Sequence, residues 1–343
     1  MVNTTIIGSG DIKATIIAHS KNKISGKEII TYELEYHRYI HAELMTHRMF
    51  SRNSMSSRAI PIERMLDLVE TSPAVPIHWG AKQAGMQADN ECTNEVDLGY
   101  GNVLASDEAW FYGIECMKDL ASAFDKAGYH KQIVNRLLEP FQMIKVIVTS
   151  TCFDNFFNLR LHKDAQPEIK ELATCMYKAF TSSKPRILSH GEWHLPYYKN
   201  GYWSVSADLS DDYDSYGLLD QNKHLTDEEG ITLEQAIKIS CSCCAQVSYR
   251  KNDDSLEKAN LVFDRLILSE PVHASAFEHC ATPNPDPFPK VYIDDTDLEW
   301  KSGNVSGVTH VDISGNAWSG NFIHWIQYRQ LIPNNVCNKY IPS

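Results

Sequence analysis

The chain has 343 residues, of which 43% are hydrophobic and 22% charged, and its formal net charge is -12 at pH 7. This composition excludes a disordered chain and provides a sizeable core for one large domain or two ordinary ones. The negative charge argues against a protein that coats a nucleic-acid polymer, since sequence-independent binding depends on lysine and arginine. A small phosphorylated ligand remains compatible with it.

The sequence does not indicate a membrane segment or a secretion signal. No run of about 18 apolar residues occurs, and residues 1–8 lack the basic and then apolar pattern of a signal peptide. Nine cysteines, an odd number, favour a reducing compartment over a disulfide framework. We therefore expect a soluble cytoplasmic protein with no membrane partner.

The N-terminal part predicts three strands that lead into a helix. Thr4 to Ile7 and Ile12 to His19 read as short strands separated by a glycine turn, and the alternation from Thr31 to Tyr36 marks a half-buried third strand. Tyr39 to Phe50 then predicts a helix. The apolar side of that helix consists of Ile40, Leu44 and Met45.

A donor-rich segment overlaps the end of this helix and continues beyond it. Residues 46–58 contain three arginines, a histidine, an asparagine and four serines in an otherwise acidic chain. Guanidinium and hydroxyl groups are the donors that phosphate prefers, and the serine and asparagine content after the helix predicts a loop. The segment is either an anion-binding loop or an ordinary solvated basic loop.

The rest of the chain predicts further helices and one strand. Ser106 to Gly128 predicts a long helix, Met143 to Thr151 a strand, and Asn155 to Arg160 a helix. Thr232 to Gln235 is a capping box that opens another helix, and Ser255 to Leu268 supplies one more. The apolar stripe of the long helix consists of Trp110, Ile114, Met117 and Leu120.

Two histidines have the spacing of a zinc pair. His190 and His194 would share one face of a helix, but Gly191 and Pro196 disfavour a helix there, so we expect a structured loop and no metal. Asp208 to Asp220 is an acidic stretch that we expect at the surface.

The cysteines do not predict a catalytic thiolate. Those of residues 241–244 lack the spacing and partners of a metal site, and small buried side chains are expected there. Cys152, Cys175 and Cys280 lack the surroundings that would identify a thiol of lowered pKa.

The spacing within the donor-rich segment resembles a family motif. From His47 to Arg58 the chain reads His-Arg-x-x-Ser-x-Asn-x-x-Ser-x-Arg, a match at six positions. Flavin-dependent thymidylate synthases carry this pattern with an arginine before it, where this chain has Thr46. The chain therefore resembles a member of that family.

Later segments add to the resemblance. Asn135 to Pro140, Asn155 to Arg160 and Ala165 to Ile169 match family runs in order and spacing. Ala245 to Tyr249 and His273 to His279 match two further runs, which in the family precede the arginine motif. This order predicts a circularly permuted member.

The resemblance implies an α+β fold in which a mixed sheet packs with helices. It implies one catalytic domain over residues 1–343, with an inserted loop region around residues 181–230, and a homotetramer whose sites combine residues of several subunits. The tail from Trp318 to Arg329 is similar to viral members, including those of phage, which would place the protein in a host cytoplasm.

The resemblance also implies a reaction, the transfer of a one-carbon unit from methylene-tetrahydrofolate to C5 of dUMP. FAD would be the cofactor and NADPH the reductant, with hydride chemistry left to the flavin. Arg160 would be catalytic, because a guanidinium beside the base stabilises the negative charge that develops there. The implied substrate-binding residues are Glu43, Ser54, Ser56, Arg58, Arg136 and Arg160. The implied cofactor-binding residues are His47, Arg48, Asn155, Ser248, Ser275 and Glu278, with His273 facing the nicotinamide or folate.

Three departures from the motif leave alternatives open. Thr46 replaces an arginine, Ser54 a glutamate and Glu43 a glutamine. Arg160 has only donors and suits uracil, whereas a carboxylate at Glu43 would suit the amino group of cytosine. We favour dUMP as substrate. A dCMP methylase, a hydroxymethylase and a nucleotide-binding protein without turnover remain alternatives.

Overall fold

The computed structural model describes residues 4–205, 225–248, 252–289, 305–337 and 339. Within these ranges the helices are α1 (His41–Met45), α2 (Ile62–Thr71), α3 (Ser106–Lys126), α4 (Lys131–Leu137), α5 (Asp154–Arg160), α6 (Pro167–Ser182), α7 (Leu233–Ala245) and α8 (Leu256–Ile267). The strands are β1 (Thr4–Ile7), β2 (Lys13–Asn22), β3 (Glu28–His37), β4 (Ser51–Ser54), β5 (Val96–Asp97), β6 (Val103–Leu104), β7 (Met143–Ser150), β8 (Arg186–Leu188), β9 (Trp193–His194), β10 (Tyr202–Trp203), β11 (Ala281–Pro283), β12 (His310–Val311), β13 (Ala317–Ser319), β14 (Phe322–Ile323) and β15 (Trp325–Gln327). The predicted α+β class is confirmed.

A mixed six-stranded sheet forms the centre of the described structure. Its order is β1-β2-β3-β7-β4, and β8 pairs with β2 beside β1. The β2–β8 pair is parallel and the other pairs are antiparallel. The strands predicted from the alternating and β-branched patterns are confirmed as β1, β2, β3 and β7.

One face of this sheet carries the main apolar core. Tyr32, Leu34, Val146 and Val148 are fully buried there against side chains of α5 and α6. The Tyr32 hydroxyl also donates to the Met176 carbonyl in α6 at 3.1 Å. Removing these large side chains from water is the main favourable contribution to folding.

A second layer covers the opposite face of the sheet. It contains the four-stranded sheet β10-β9-β11-β15 and the helix pair α7 and α8, which share a core. The two layers approach closely at Gly201, whose φ is +87° and where a Cβ would come within 2.8 Å of the Ala18 Cα. Residues 186–203 supply strands to both sheets, so the described part of the predicted insertion belongs to this framework.

A third group of helices, α2, α3 and α4, shares a smaller core. The long helix predicted from Ser106 is confirmed as α3, and Ile114 is buried while Trp110 and Met117 pack against the same core. Leu120 is 39% exposed, so its assignment to the apolar stripe is wrong. The reason is that α2 and α4 cover only one side of α3. Helix α2 has no counterpart among the elements predicted from the sequence.

The helix before the donor-rich segment is much shorter than predicted. Only the five residues of α1 are α-helical, after a 3-10 turn over Arg38–Ile40, and Met45 is 42% exposed. The Thr46 hydroxyl donates to the Glu43 carbonyl at 2.7 Å, and Arg52 Nη1 donates to the carbonyls of Met45 and His47. These bonds use carbonyl groups that a longer helix would have needed.

Residues 51–54 form strand β4 and not the predicted loop. Their partner is β7, with Ser51 opposite Thr149 and Ser54 opposite Val146. The strand forms despite its polar composition because β7 would otherwise present an unpaired edge inside the protein, and buried backbone groups require partners.

The two predicted helices of the second layer are confirmed as α7 and α8. The capping box is present, since the Thr232 hydroxyl accepts from the Gln235 N–H at 3.3 Å and the Thr232 N–H donates to Gln235 Oε1 at 2.9 Å. The cysteines of α7 are buried, as predicted, and burial raises the pKa of the Cys243 thiol to about 12.

Among the described residues, none of the helices has the length and apolar character to cross a bilayer. Tyr249 and the acidic stretch Asp208 to Asp220 lie outside the described residues.

Candidate functional site

Arg160 lies at the end of α5, where α5 meets the residues that follow α1. Its Nε donates to Nε2 of His47 at 3.0 Å, and its Nη2 donates to the Thr46 hydroxyl at 3.3 Å. Its Nη1 lies 3.7 Å from Oε2 of Glu43. Two of the segments that the sequence analysis singled out therefore meet at one guanidinium, which three side chains hold in place.

His47 supports Arg160 as a neutral ring. Burial lowers the pKa of His47 to about 4, and the nearby charges of Arg160 and Arg52 add to this effect. Phe156 meets the ring edge-on with centroids 4.9 Å apart, and Phe50 stacks on it at 5.7 Å. The imidazole thus accepts a hydrogen bond from Arg160 without placing a second positive charge beside it.

Glu43 faces the same guanidinium but is not a strong ion-pair partner. Burial raises the pKa of Glu43, the charge of Glu168 adds to this effect, and Arg160 opposes it. At 3.7 Å the attraction of Arg160 does not offset the loss of water around the carboxylate. Glu43 therefore takes up a proton at a higher pH than an ordinary glutamate does.

Strand β4 brings the arginine motif against the later motif segments. Asn53 Nδ2 donates to the Cys244 carbonyl at 3.0 Å, and the Ser56 N–H donates to the Ser248 hydroxyl at 2.9 Å. Ser54 ends the strand. Segments that are about 190 residues apart in the sequence are thus neighbours in the structure.

A carboxylate organises the loop that follows β4. Glu139 Oε1 accepts from Arg38 Nη2 and from the Ser57 hydroxyl, both at 2.9 Å, and Arg136 Nη1 lies 3.8 Å from the same oxygen. Asn135 Nδ2 donates to the Ser57 carbonyl at 2.8 Å. These contacts connect the Ser56 to Arg58 loop, which the resemblance assigns to phosphate binding, with Arg136, which the resemblance places beside Arg160.

The C-terminal part of the chain covers Glu278. Arg329 Nη1 donates to Glu278 Oε1, and Gln327 Nε2 donates to the Glu278 carbonyl at 3.2 Å. Gln327 Nε2 also lies 3.2 Å from the Ser51 hydroxyl, as does Asn321 Nδ2 at 3.1 Å. The arginine motif and the Glu278 segment therefore share a common neighbour.

Several predicted site residues are not brought together in this way. Five of them have exposed side chains and, among the described residues, form no hydrogen bond to the groups named above: Arg48, Arg58, Asn155, His273 and Ser275. The described part of one chain therefore does not enclose the whole predicted site.

The predicted donors nevertheless suit a flavin dinucleotide. Arg48, Asn155 and Ser275 offer guanidinium, amide and hydroxyl groups at the surface, which match a pyrophosphate and the polar edge of a flavin ring. Arg329 Nε is buried beside Glu278 without a hydrogen-bond partner in the described structure. The residues present fit the chemistry of this cofactor.

The histidine pair of residues 190–194 serves the fold. His194 is fully buried in β9, with Nδ1 at 2.9 Å from the Ser20 hydroxyl and Nε2 at 2.8 Å from the Thr31 hydroxyl. His190 Nδ1 donates to the Pro283 carbonyl at 2.9 Å. Because both nitrogens of His194 are engaged, this ring has none left for a metal. Among the described residues, no group of three or more histidine, cysteine or acidic side chains could hold a metal ion.

A separate cavity of about 670 Å³ lies beside the start of α6. It is lined in part by Tyr39, Trp110 and Glu168. Glu168 Oε1 accepts from the Tyr39 hydroxyl at 3.1 Å and from the Ile77 N–H at 3.0 Å. This carboxylate therefore joins the 76–80 segment to α6.

Several residues that shape the site were not predicted from the sequence. Glu139 lies three residues after Arg136, a spacing that could have suggested their contact, and Ser57 is part of the motif segment. Gln327 and Arg329 belong to the tail, whose pattern gave no sign of a partner.

No protein-family model matches the chain, and no curated protein matches it. Two similar solved structures are crystal structures of the UMP/dUMP methylase PolB from Streptomyces cacaoi, bound with 5-Br UMP and with 5-Br dUMP. The TM-scores are 0.35 and 0.38, at 15% and 16% identity. The matches cover 50% and 52% of this chain, and 89% and 93% of the other. Similarity this low carries no statement about what this chain binds.

Proposed function

We propose that the chain is a flavin-dependent enzyme that transfers a one-carbon unit from methylene-tetrahydrofolate to C5 of dUMP, giving dTMP. The observation that supports this most is the contact of Arg160 with Thr46 and His47. The residues that the resemblance assigns to base activation and to cofactor binding meet at that contact. The Ser56 to Ser248 hydrogen bond is a second meeting of this kind.

In this proposal Arg160 binds and activates the base. Bond formation at C5 requires electron density at that carbon, and a guanidinium promotes this by stabilising negative charge over N3 and the neighbouring carbonyl oxygen. Because His47 is neutral, it adds no positive charge of its own beside Arg160. Arg136 would lie beside Arg160. Ser56 and Arg58 would hold the phosphate, and Glu43 and Ser54 would line that pocket.

The proposed cofactor is FAD, with NADPH and methylene-tetrahydrofolate as co-substrates. Bound FAD would supply the hydride chemistry, which no amino-acid side chain performs. Residues of this chain would bind and orient it: His47, Arg48, Asn155, Ser248, Ser275 and Glu278, with His273 toward the nicotinamide or folate.

The first test is the absorption spectrum of the purified protein. We expect a yellow protein that releases FAD on denaturation, or one that binds added FAD. A protein that holds no flavin after incubation with FAD would contradict the proposal. Nucleotide binding without flavin binding or NADPH oxidation would instead support a binding protein without turnover.

A second test separates the reactions and the bases. The protein is supplied with methylene-tetrahydrofolate, NADPH and either dUMP or dCMP, and the nucleotide products are weighed by mass spectrometry. We expect a methyl group on dUMP. The position of Glu43 beside Arg160 keeps dCMP as an alternative, and a hydroxymethyl product would replace the proposed reaction.

A further inference from the structure

The C-terminal segment from Ser319 to Arg329 contacts the arginine motif directly. Asn321 Nδ2 donates to the Met49 carbonyl and to the Ser51 hydroxyl, both at 3.1 Å, and Gln327 Nε2 donates to the same hydroxyl at 3.2 Å. Ser51 is fully buried and Gln327 is 1% exposed. Ser51 is therefore bonded within the protein, unlike the partly exposed Ser54 and Ser56.

The same C-terminal segment also contacts the Glu278 segment, which belongs to the His273 to His279 run. Gln327 Nε2 reaches the Glu278 carbonyl at 3.2 Å, and Arg329 Nη1 donates to Glu278 Oε1. A second hydrogen bond holds Arg329 in place, since its Nη2 donates to the Asn335 carbonyl at 3.2 Å. The two paired side chains are only 27% and 20% exposed, and a pair with so little water around it has a well-defined geometry.

We propose that Gln327 and Arg329 are positioning residues of the candidate site. Gln327 sets the arginine motif and the Glu278 segment in one register, and Arg329 orients the Glu278 carboxylate. The Arg329 contact is at Oε1, which leaves the second oxygen to accept from an N–H or hydroxyl group of the cofactor. The role toward the cofactor rests on the proposed function, whereas the role in register does not.

If Arg329 only stabilised the fold, its loss would have a different effect. It would loosen the whole site, so FAD and dUMP would both bind less well. A positioning residue that acts through Glu278 affects the ligand that Glu278 contacts and leaves the phosphate-binding end around Ser56 and Arg58 intact.

The first experiment measures binding of FAD and dUMP to variants of the full chain. The variants are Arg329→Gln, Arg329→Lys, Glu278→Gln and the Arg329→Gln/Glu278→Gln double variant, with Arg265→Gln as the matched control because Arg265 is exposed on α8. We expect Arg329→Gln to raise the Kd for FAD about tenfold and to leave that for dUMP within about twofold. Arg329→Lys should recover part of the loss.

The double variant decides whether Arg329 acts through Glu278. We expect it to bind FAD as the Glu278→Gln variant does, because non-additivity identifies residues that work as a unit. Additive losses, an equal loss for dUMP, or an unchanged Kd for FAD would overturn the proposed orientation of Glu278.

The second experiment measures hydrogen exchange without any ligand. Peptides over residues 47–54 and 274–280 should exchange faster in Gln327→Leu than in the Arg265→Gln control, and the peptide over residues 274–280 should also exchange faster in Arg329→Gln. Unchanged exchange would overturn the inference even if FAD binds. If the wild-type chain binds no FAD, the proposed function fails while the exchange data still decide the role in register. Should Arg329→Gln not fold, Arg329→Lys replaces it, and wild-type behaviour of that variant in both experiments would overturn the inference.

Discussion

Thr46, at which the chain departs from the family motif, helps to hold Arg160 in place. Its hydroxyl accepts from Arg160 Nη2 at 3.3 Å and donates to the Glu43 carbonyl at 2.7 Å. An arginine at this position would place a second positive charge beside the Arg160 guanidinium, and the two like charges would repel each other. Threonine instead supplies an acceptor, so the residue that breaks the motif helps to hold the proposed catalytic group.

The preference between the two bases should depend on pH through Glu43. Burial raises the pKa of Glu43 above its ordinary 4.5, so at acidic pH the protonated side chain can donate to the uracil carbonyl. At higher pH the carboxylate can accept from the amino group of cytosine. We expect the affinity for dCMP relative to dUMP to rise with pH through the raised pKa.

The matched variant for this prediction is Glu43→Gln, which does not titrate. It should favour dUMP by about tenfold more than the wild type does at neutral pH, and the pH dependence of the preference should disappear. Calorimetric titration with each nucleotide measures both effects. The same preference in both proteins would mean that Glu43 only shapes the pocket.

Glu139 should matter for both stability and phosphate binding. Glu139→Gln removes the charge that pairs with Arg38 and weakens the bond from Ser57, and we expect a loss of about 1–3 kcal/mol in the free energy of unfolding. The affinity for dUMP should also fall, because the loop of residues 56–58 loses its anchor. Urea denaturation and calorimetry measure the two quantities. Glu95→Gln, at an exposed residue, is the control, and equal behaviour of the two variants would contradict this role.

At the scale of elements, the segments whose side chains face a core were the ones best predicted from the sequence. Strands β3 and β7 alternate or are rich in β-branched residues because one face is buried against α6. Helix α7 begins where its capping box predicts, since that signal is local.

Elements that depend on a distant partner were not predicted from the sequence. Strand β4 is polar and exists because it completes the edge of β7. The contacts of Gln327 and Arg329 with Ser51 and Glu278 likewise have no local pattern. For the site, the motifs assigned Arg160 and His47 to base activation and to cofactor binding, but they gave no sign of the supporting carboxylate of Glu139.

The contact between the two sheets should be sensitive to acid. His194 and His279 are fully buried and linked through the hydroxyls of Thr31 and Thr149 at 2.7 to 2.8 Å. Burial lowers the pKa of each histidine to about 3. The unfolded chain, with an ordinary value of 6.5, therefore binds more protons below that pH. The stability that the two neutral histidines contribute is therefore fully present above pH 6.5, and it is lost progressively as the pH falls toward 3.

A His194→Gln variant tests this prediction. It should be less stable at neutral pH but should lose less stability on acidification, by up to about 1.4 kcal/mol per pH unit. Unfolding by urea at about pH 7 and pH 5.5 measures the slope. His162→Gln, at an exposed histidine, should keep the wild-type slope. An unchanged slope in His194→Gln would mean that His194 does not remain neutral in the folded protein.

At the scale of the molecule, the residues that the structure describes in a single chain leave part of the predicted site open. Arg48, Arg58, Asn155, His273 and Ser275 are exposed, although small-molecule sites usually bury most of the ligand surface. A second copy of the chain could cover these side chains, and closed symmetric assemblies are the common way in which one subunit completes the site of another.

We therefore predict a homotetramer with shared sites. Light scattering should give a mass four times the 38.9 kDa of the chain, and a stable monomer with full FAD binding and turnover would contradict it. Mixing two inactive variants tests whether the sites are shared. If Arg160 and Arg58 of one site come from different subunits, refolding Arg160→Ala together with Arg58→Ala should restore part of the activity, because some sites then contain neither substitution. If both come from the same subunit, every site of the mixture carries one substitution, and activity should stay at the level of the separate variants.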